Sequence, residues 1–325
     1  MAKVKNFKTI FPAVSVPLND DYSINEPEFR AYLRWIKTFY GKGMDGLVCN
    51  GHTGEITGLT RAERKRVVEI CAEECGDVMT IISGVNCENT AESIEMAKEA
   101  KEAGADGILL MPPHMWLRFG MNPDAPFEYV KDVAEGADID IIIHLYPATS
   151  KAFYPVETLI KMCKEIDHVK CIKMGTRVTS IYEHDVRLLR QECPDISLIT
   201  CHDETLCVSW FPGMDGALIG FAGCVPEIIC PARDVFANPD KHTLKEAQDW
   251  SDRIYHISQA IYGGGQPSGE AHARLKEALK QRGIFTSALM RKPVLPLNQE
   301  EKDWVALGLE RSQLPEVDMT QYQDK

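Results

Sequence analysis

Lys173 closes a short apolar run, Val169-Lys170-Cys171-Ile172-Lys173, followed by the turn residues Met174-Gly175-Thr176. An amine held among apolar neighbours loses hydration of its charged form, so its pKa falls and a neutral nucleophile becomes available for a ketone. Side-chain alternation along a strand puts Val169, Cys171 and Lys173 on one face and Lys170 and Ile172 on the other. A second candidate lies in His144-Leu145-Tyr146-Pro147. There alternation places His144 and Tyr146 together, and a phenol beside an amine can move protons to and from a substrate. A third is Gly51-His52-Thr53-Gly54-Glu55, where two glycines allow a tight turn with free amides and a hydroxyl beside them, a cradle for a carboxylate. The small residues of Gly216-Ala217-Leu218-Ile219-Gly220 leave room for a ligand. Each motif also has a plain structural reading: a salt-bridged lysine, a core tyrosine, an ordinary glycine turn, or close strand packing.

The elements that must position these residues follow from hydrophobic pattern. Short apolar segments alternate with helical periodicity through eight cycles, the strands being expected at Thr9–Val16, Asp45–Asn50, Met79–Gly84, Gly107–Met111, Ile139–Leu145, Val169–Lys173, Ile196–Thr200 and Gly216–Gly220. Eight βα units predict an α/β fold, a closed (β/α)8 TIM barrel, whose chemistry sits at the strand ends. Thr60-Arg61-Ala62-Glu63 reads as a capping box, and Thr90 to Ala103 as a helix stopped by Gly104. After Pro226 the pattern is helix only, at 228–236, 242–261, 268–282 and 299–309, with a break at Gly263-Gly264-Gly265. We therefore expect the barrel in residues 1–226, and the last barrel helix, a C-terminal helical extension and a polar tail in 227–325. The tail from Ser312 lacks periodicity and is expected to be a loose arm.

Composition narrows the function. A chain of 325 residues with 44% hydrophobic content can bury a large core. Its net charge of −12 argues against a nucleic-acid partner. No apolar run approaches the roughly 18–20 residues of a membrane span, and Met1-Ala2-Lys3-Val4-Lys5 leads into no apolar export segment. Eleven cysteines in no framework spacing suit free thiols in a reducing, cytoplasmic setting, with Cys71 and Cys75 as core residues.

Cradle, strand-five tyrosine and strand-six lysine, in that order, resemble the dihydrodipicolinate synthase and N-acetylneuraminate lyase family of pyruvate-handling class I lyases. The resemblance runs nearly end to end. It is carried also by Ala103-Gly104-Ala105-Asp106-Gly107 leading to Met111-Pro112-Pro113, by Gly213-Met214-Asp215-Gly216-Ala217, by Lys276-Glu277-Ala278-Leu279 and by Arg291-Lys292-Pro293-Val294-Leu295-Pro296-Leu297. It implies a Schiff base at Lys173, Tyr146 as proton relay, and the Gly51, His52, Thr53, Gly54 backbone with the Thr53 hydroxyl binding the carboxylate of a 2-oxo acid. Leu218 and His114 are expected on the wall of the same pocket. The resemblance further implies an aldehyde as second partner, no metal or organic cofactor, and a homotetramer built as a dimer of dimers, with Met115 and Trp116 as contact candidates.

The chain departs from synthase members in three places. His52 stands where a hydroxyl residue follows the first cradle glycine, His114-Met115-Trp116 offers no tyrosine after strand four, and Ala148-Thr149-Ser150-Lys151 lacks the arginine after the strand-five tyrosine. These departures point away from the synthase reaction and toward a hydratase-aldolase or a 2-keto-3-deoxy sugar acid dehydratase. Two other readings stay open: a metal-dependent barrel lyase or hydrolase using His52, His144, His202 and Asp203, and a non-catalytic ligand binder on the same fold.

Overall fold

The computed structural model describes residues 3–263 and 269–324. Met1, Ala2, Gly264, Gly265 and the first residue of the helix expected at 268–282 lie outside them. Eight parallel strands follow one another as β1 (Ile10–Pro12), β2 (Gly46–Cys49), β3 (Thr80–Val85), β4 (Gly107–Leu110), β5 (Asp140–Leu145), β6 (Val169–Met174), β7 (Ser197–Thr200) and β8 (Gly216–Ile219). They pair in the order β1-β8-β7-β6-β5-β4-β3-β2, and the Val14 amide closes the ring by donating to the Val48 carbonyl at 2.9 Å. The expected (β/α)8 barrel is the observed fold.

Each strand places one side chain in the barrel interior: Phe11, Val48, Ile82, Leu109, Ile142, Cys171, Ile199 and Leu218. A barrel of this strand number has an interior just wide enough for such a layer, so the interior is a packed plug that supports a site above it. A larger apolar shell, including Val67, Ile108, Leu159 and Val186, joins the strands to the surrounding helices.

The β5–β6 pairing corrects the expected register of β6. Ile141 faces Val169 but Ile142 faces Cys171, so Lys170 is an extra residue on β6. A bulge of this kind breaks simple alternation. Val169 consequently packs in the outer shell with Ile172 and Met174, while Cys171 faces the interior. Lys170 is exposed and its Nζ donates to the Asp167 carbonyl at 2.6 Å.

The capping box is present: the Glu63 amide donates to Thr60 Oγ1 at 3.3 Å and the Thr60 amide donates to Glu63 Oε2 at 2.8 Å. The helix Thr90–Glu102 stops at Gly104, whose φ of 104° is the left-handed conformation that glycine tolerates. Cys71 and Cys75 are buried free thiols.

Helices Pro226–Ala237, Leu244–Tyr262, Gly269–Gln281 and Gln299–Arg311 form the C-terminal part. The tail is not the loose arm expected. Arg253 Nε donates to the Ser312 carbonyl at 2.9 Å, the Val317 amide to the Arg282 carbonyl at 2.7 Å, and Arg34 to the Tyr322 carbonyl at 3.1 Å. Leu314 and Met319 are buried with it. Isolated apolar residues and main-chain carbonyls dock this segment without any helical or strand period to announce it. No helix among the described residues is long and apolar enough to cross a membrane.

Candidate active site

Above the interior plug lies a cavity of about 430 Å³. Lys173, the penultimate residue of β6, sits beside His144 of β5 in the strand register and reaches this cavity, part-buried. Its Nζ has no hydrogen-bond or ion-pair partner among the described residues. Burial holds the amine below the usual lysine range, and the Arg177 guanidinium adds to this, while Cys201 and Asp203 oppose it. An unpaired, desolvated amine is the form that attacks a carbonyl.

Tyr146 follows β5 directly and is 8% exposed. Its hydroxyl lies 3.4 Å from His52 Nε2, and its ring meets the His144 ring edge-on at 4.8 Å. Burial pushes the phenol up, so it stays protonated and can donate. Burial, followed by Lys173 and the neighbouring histidines, pushes the His52 imidazole down to about 3. His144 is lowered in the same direction and by the same leading cause. Both rings are therefore neutral at neutral pH, and Tyr146 faces a neutral acceptor.

The cradle runs through the turns after β2. The Glu55 amide donates to the His52 carbonyl at 3.0 Å and the Ile56 amide to the Gly51 carbonyl at 3.2 Å. The earlier amides, of His52, Thr53 and Gly54, have no acceptor among the described residues. Free successive amides form an anion-binding concavity. Gly51, His52 and Thr53 line the cavity, whereas Gly54 is set behind it, where a Cβ would come 3.0 Å from the Val14 carbonyl.

Glu55 anchors the cradle from behind. With φ of 58° its carboxylate turns inward and pairs with Lys276 Nζ, while the Arg291 amide donates to its other oxygen at 3.0 Å. Lys276 is 1% exposed and also donates to the Leu289 carbonyl at 2.8 Å. Removing one partner of a buried pair leaves an uncompensated charge. Lys276→Met is expected to destabilise the fold by about 3–5 kcal/mol, as urea unfolding will measure, with part of the loss recovered in the Glu55→Gln, Lys276→Met double variant.

Opposite the cradle, Gly220 follows β8. A Cβ on Gly220 would lie 2.8 Å from the Tyr262 hydroxyl and 2.9 Å from Thr53 Oγ1, so only glycine lets both hydroxyls reach this point. Gly220→Ala is expected to displace Thr53 and lower kcat/KM by about 100-fold, with thermal stability measured alongside to separate the two effects.

Asp203, just after β7, also lines the cavity. Its Oδ1 accepts from the Tyr262 hydroxyl at 2.7 Å and from the Gly220 amide at 2.8 Å. Burial pushes this carboxyl up to about 6. Arg177 lines the same cavity, but its guanidinium is engaged by Glu204 and by the Gly175 carbonyl at 3.1 Å.

His114 and Leu218 reach the cavity as expected, His114 with its Nε2 3.2 Å from Asn86 Nδ2. Trp116 turns inward against Tyr129 and Tyr154 at ring distances of 5.7 and 6.2 Å, whereas Met115 and Phe119 are exposed. The four metal-ligand candidates do not converge. His202 packs at a tilt against the Tyr182 ring, 4.7 Å between centroids, beside a separate cavity, away from the cavity that His52, His144 and Asp203 line. Among the described residues no group of three such side chains is placed to hold a metal ion.

Sequence reasoning missed Arg177, Tyr262 and His272 at this cavity, and named Asp203 only as a possible ligand. The position of Asp203 after a strand was a usable signal. Tyr262 and His272 arrive from the C-terminal helices, and no local pattern assigns them to the barrel mouth.

A profile described as the dihydrodipicolinate synthetase family matches residues 6–311. The 4-hydroxy-tetrahydrodipicolinate synthase of Bartonella bacilliformis is 26% identical over 309 residues, covering 94% of this chain and 98% of that protein. An uncharacterised DapA-like lyase of Pyrococcus horikoshii is 30% identical over 294 residues, covering 90% and 95%. Among solved structures, YagE, a prophage protein of the same family from E. coli K12 in complex with pyruvate, superposes with a TM-score of 0.84 at 20% identity, covering 95% of this chain and 99% of that one. The chain belongs to the dihydrodipicolinate synthetase family and is a lyase of the class I aldolase type.

Proposed function

We propose that this enzyme forms a Schiff base between Lys173 and a 2-oxo acid of the pyruvate type and uses it to make or break the bond to an aldehyde partner. The observation that carries this reading is the unpaired, desolvated Lys173 amine facing one cavity with Tyr146 and the free amides of the cradle. The 2-oxo acid carboxylate lies on the free amides of His52 and Thr53 and on the Thr53 hydroxyl, which sets its ketone carbon beside Lys173. Tyr146 gives a proton to the departing carbinolamine hydroxyl. It later takes one from the aldol hydroxyl as the carbon–carbon bond breaks, His52 serving as its hydrogen-bond partner. The iminium receives the bonding electrons and becomes an enamine, the task a metal performs in other lyases.

The second half of the substrate is, in this reading, an aryl or polyhydroxylated aldehyde without a distal carboxylate, and the reaction is a hydratase-aldolase or aldolase reaction distinct from that of the synthases. Support comes from the cavity itself: its lining offers the imidazoles of His52, His114 and His272, and the one arginine that lines it among the described residues is held by Glu204. A dehydratase acting on a 2-keto-3-deoxy sugar acid uses the same imine and remains the second reading, favoured by the carboxylate of Asp203 inside the cavity. Assays of pyruvate against a panel of aldehydes are expected to give the highest kcat/KM with aromatic or sugar-derived members. A clear preference for aspartate semialdehyde overturns this part of the proposal. We further propose a cytoplasmic homotetramer. The exposed Met115 and Phe119 beside the cavity mouth support a subunit contact there, and light scattering is expected to report four chains. One solved structure with a similar fold is described as a monomeric dihydrodipicolinate synthase variant.

A further inference from the structure

We propose that Asp203 exchanges the proton on carbon 3 of the bound 2-oxo acid, so that the site divides its proton transfers between the two flanks of Lys173. The proposal rests on the Schiff-base reading of Lys173. The strand order fixes the arrangement, since β6 lies between β5 and β7, with Tyr146 just past the end of β5 and Asp203 three residues past the end of β7. All three side chains line one cavity. A planar imine on Lys173, with its carboxylate on the cradle, has one flank toward the phenol and the other toward the carboxylate.

Asp203 is held as a positioned base. Its Oδ1 accepts from the Tyr262 hydroxyl at 2.7 Å, the Gly220 amide at 2.8 Å and, less closely, the Phe221 amide at 3.4 Å. Its main-chain carbonyl is fixed by Ser258 Oγ at 2.8 Å. Its Oδ2 has no partner among the described residues, which leaves one oxygen for substrate.

The step balances without an oxidant or a co-reactant. A C–H bond at carbon 3 breaks and its proton passes to Oδ2. The electron pair forms the C2=C3 double bond, and the C=N π pair moves onto nitrogen, turning the iminium into the neutral enamine. In the cleavage direction the same carboxylic acid returns the proton to carbon 3 of the enamine, and hydrolysis then releases the methyl ketone acid.

Other groups in the cavity are less suited to this carbon. Tyr146 is held protonated by burial, and His52 and His144 are weak bases because burial and Lys173 disfavour their charged forms. Arg177 is occupied by Glu204. Asp203 is ionised at neutral pH yet more basic than an exposed carboxylate. Burial raises it to about 6 and Glu204 adds to the rise, while Tyr262, Lys173 and the Phe221 amide oppose it. Arg177 and Cys201 are the other charged or titratable groups that act on it.

The test follows deuterium entry into the methyl group of pyruvate in heavy water by proton NMR, together with the borohydride adduct on Lys173. Wild-type enzyme is expected to exchange the methyl protons with a rate that rises through about pH 6, as the carboxylate ionises. Asp203→Asn is expected to slow exchange by about 100-fold or more while the adduct still forms. Tyr262→Phe removes a hydrogen bond that lowers the Asp203 pKa, so it is expected to keep exchange and move the rising limb to higher pH. A limb moved in that way supports the proposal even if Asp203→Asn fails to fold, since a merely structural Asp203 would not shift it. Exchange at the wild-type rate in Asp203→Asn, or an unmoved limb in Tyr262→Phe, overturns it. Absence of both adduct and exchange from the wild-type enzyme overturns the Schiff-base reading itself.

Discussion

Lys173→Ala is expected to abolish turnover, with kcat/KM falling by about four to six orders of magnitude, the scale seen when a covalent nucleophile is deleted. The fold should survive. Lys173 makes no hydrogen bond or ion pair among the described residues, and its neighbour Cys171 already fills the barrel interior beneath it. A methyl group in its place removes an amine that burial disfavours in its charged form, so the unfolding free energy should stay within about 1 kcal/mol of wild type or rise. The same depressed amine sets a pH dependence in the wild-type enzyme. Imine formation needs the neutral amine, so its rate rises with pH, and the lowered pKa places that limb below the one an exposed lysine gives. Turnover retained in Lys173→Ala, with a fold shown to be intact by circular dichroism, contradicts the covalent mechanism.

Tyr146→Phe carries the second largest effect, a fall in kcat of about 100- to 10,000-fold with little change in KM for the 2-oxo acid. The split follows from the proposed roles: the cradle amides hold the carboxylate, whereas the phenol acts on the hydroxyls that come and go during the reaction. The ring remains in its aromatic setting against His144 at 4.8 Å, so packing is preserved and the lost function is the hydroxyl alone. Slower adduct formation with pyruvate should accompany the loss, because carbinolamine dehydration uses the same proton. A fall in kcat of less than about tenfold would assign the proton transfers to another group, with His52, 3.4 Å away, first in line.

Much of the site was legible in the sequence because its first components are local to strand ends. Lys173, Tyr146, the 51–55 turn and Leu218 are each found from a few consecutive residues, and the barrel brings strand ends together at one mouth. What stayed hidden depends on distance along the chain or on local irregularity. The Glu55–Lys276 pair joins residues 221 positions apart, and Tyr262 reaches Asp203 from a helix that periodicity alone reads as a surface appendage. The bulge at Lys170 was hidden by an alternating pattern that looked regular, and it is the reason Val169 and Lys173 face opposite sides. The docked tail was hidden too, since its contacts are main-chain carbonyls held by Arg34, Arg253 and Arg282. His202 shows the converse. It stands beside Asp203 in sequence and near a strand end, yet its ring turns to Tyr182 and a different cavity.

The central claim is a covalent imine at Lys173, and its most direct test is mass-spectrometric peptide mapping after incubation with pyruvate and sodium borohydride. The expected result is a single adduct of reduced pyruvate on the peptide containing Lys173, dependent on pyruvate and absent from Lys173→Ala. An active enzyme that gives no adduct, or one modified at another lysine while Lys173 stays free, contradicts it.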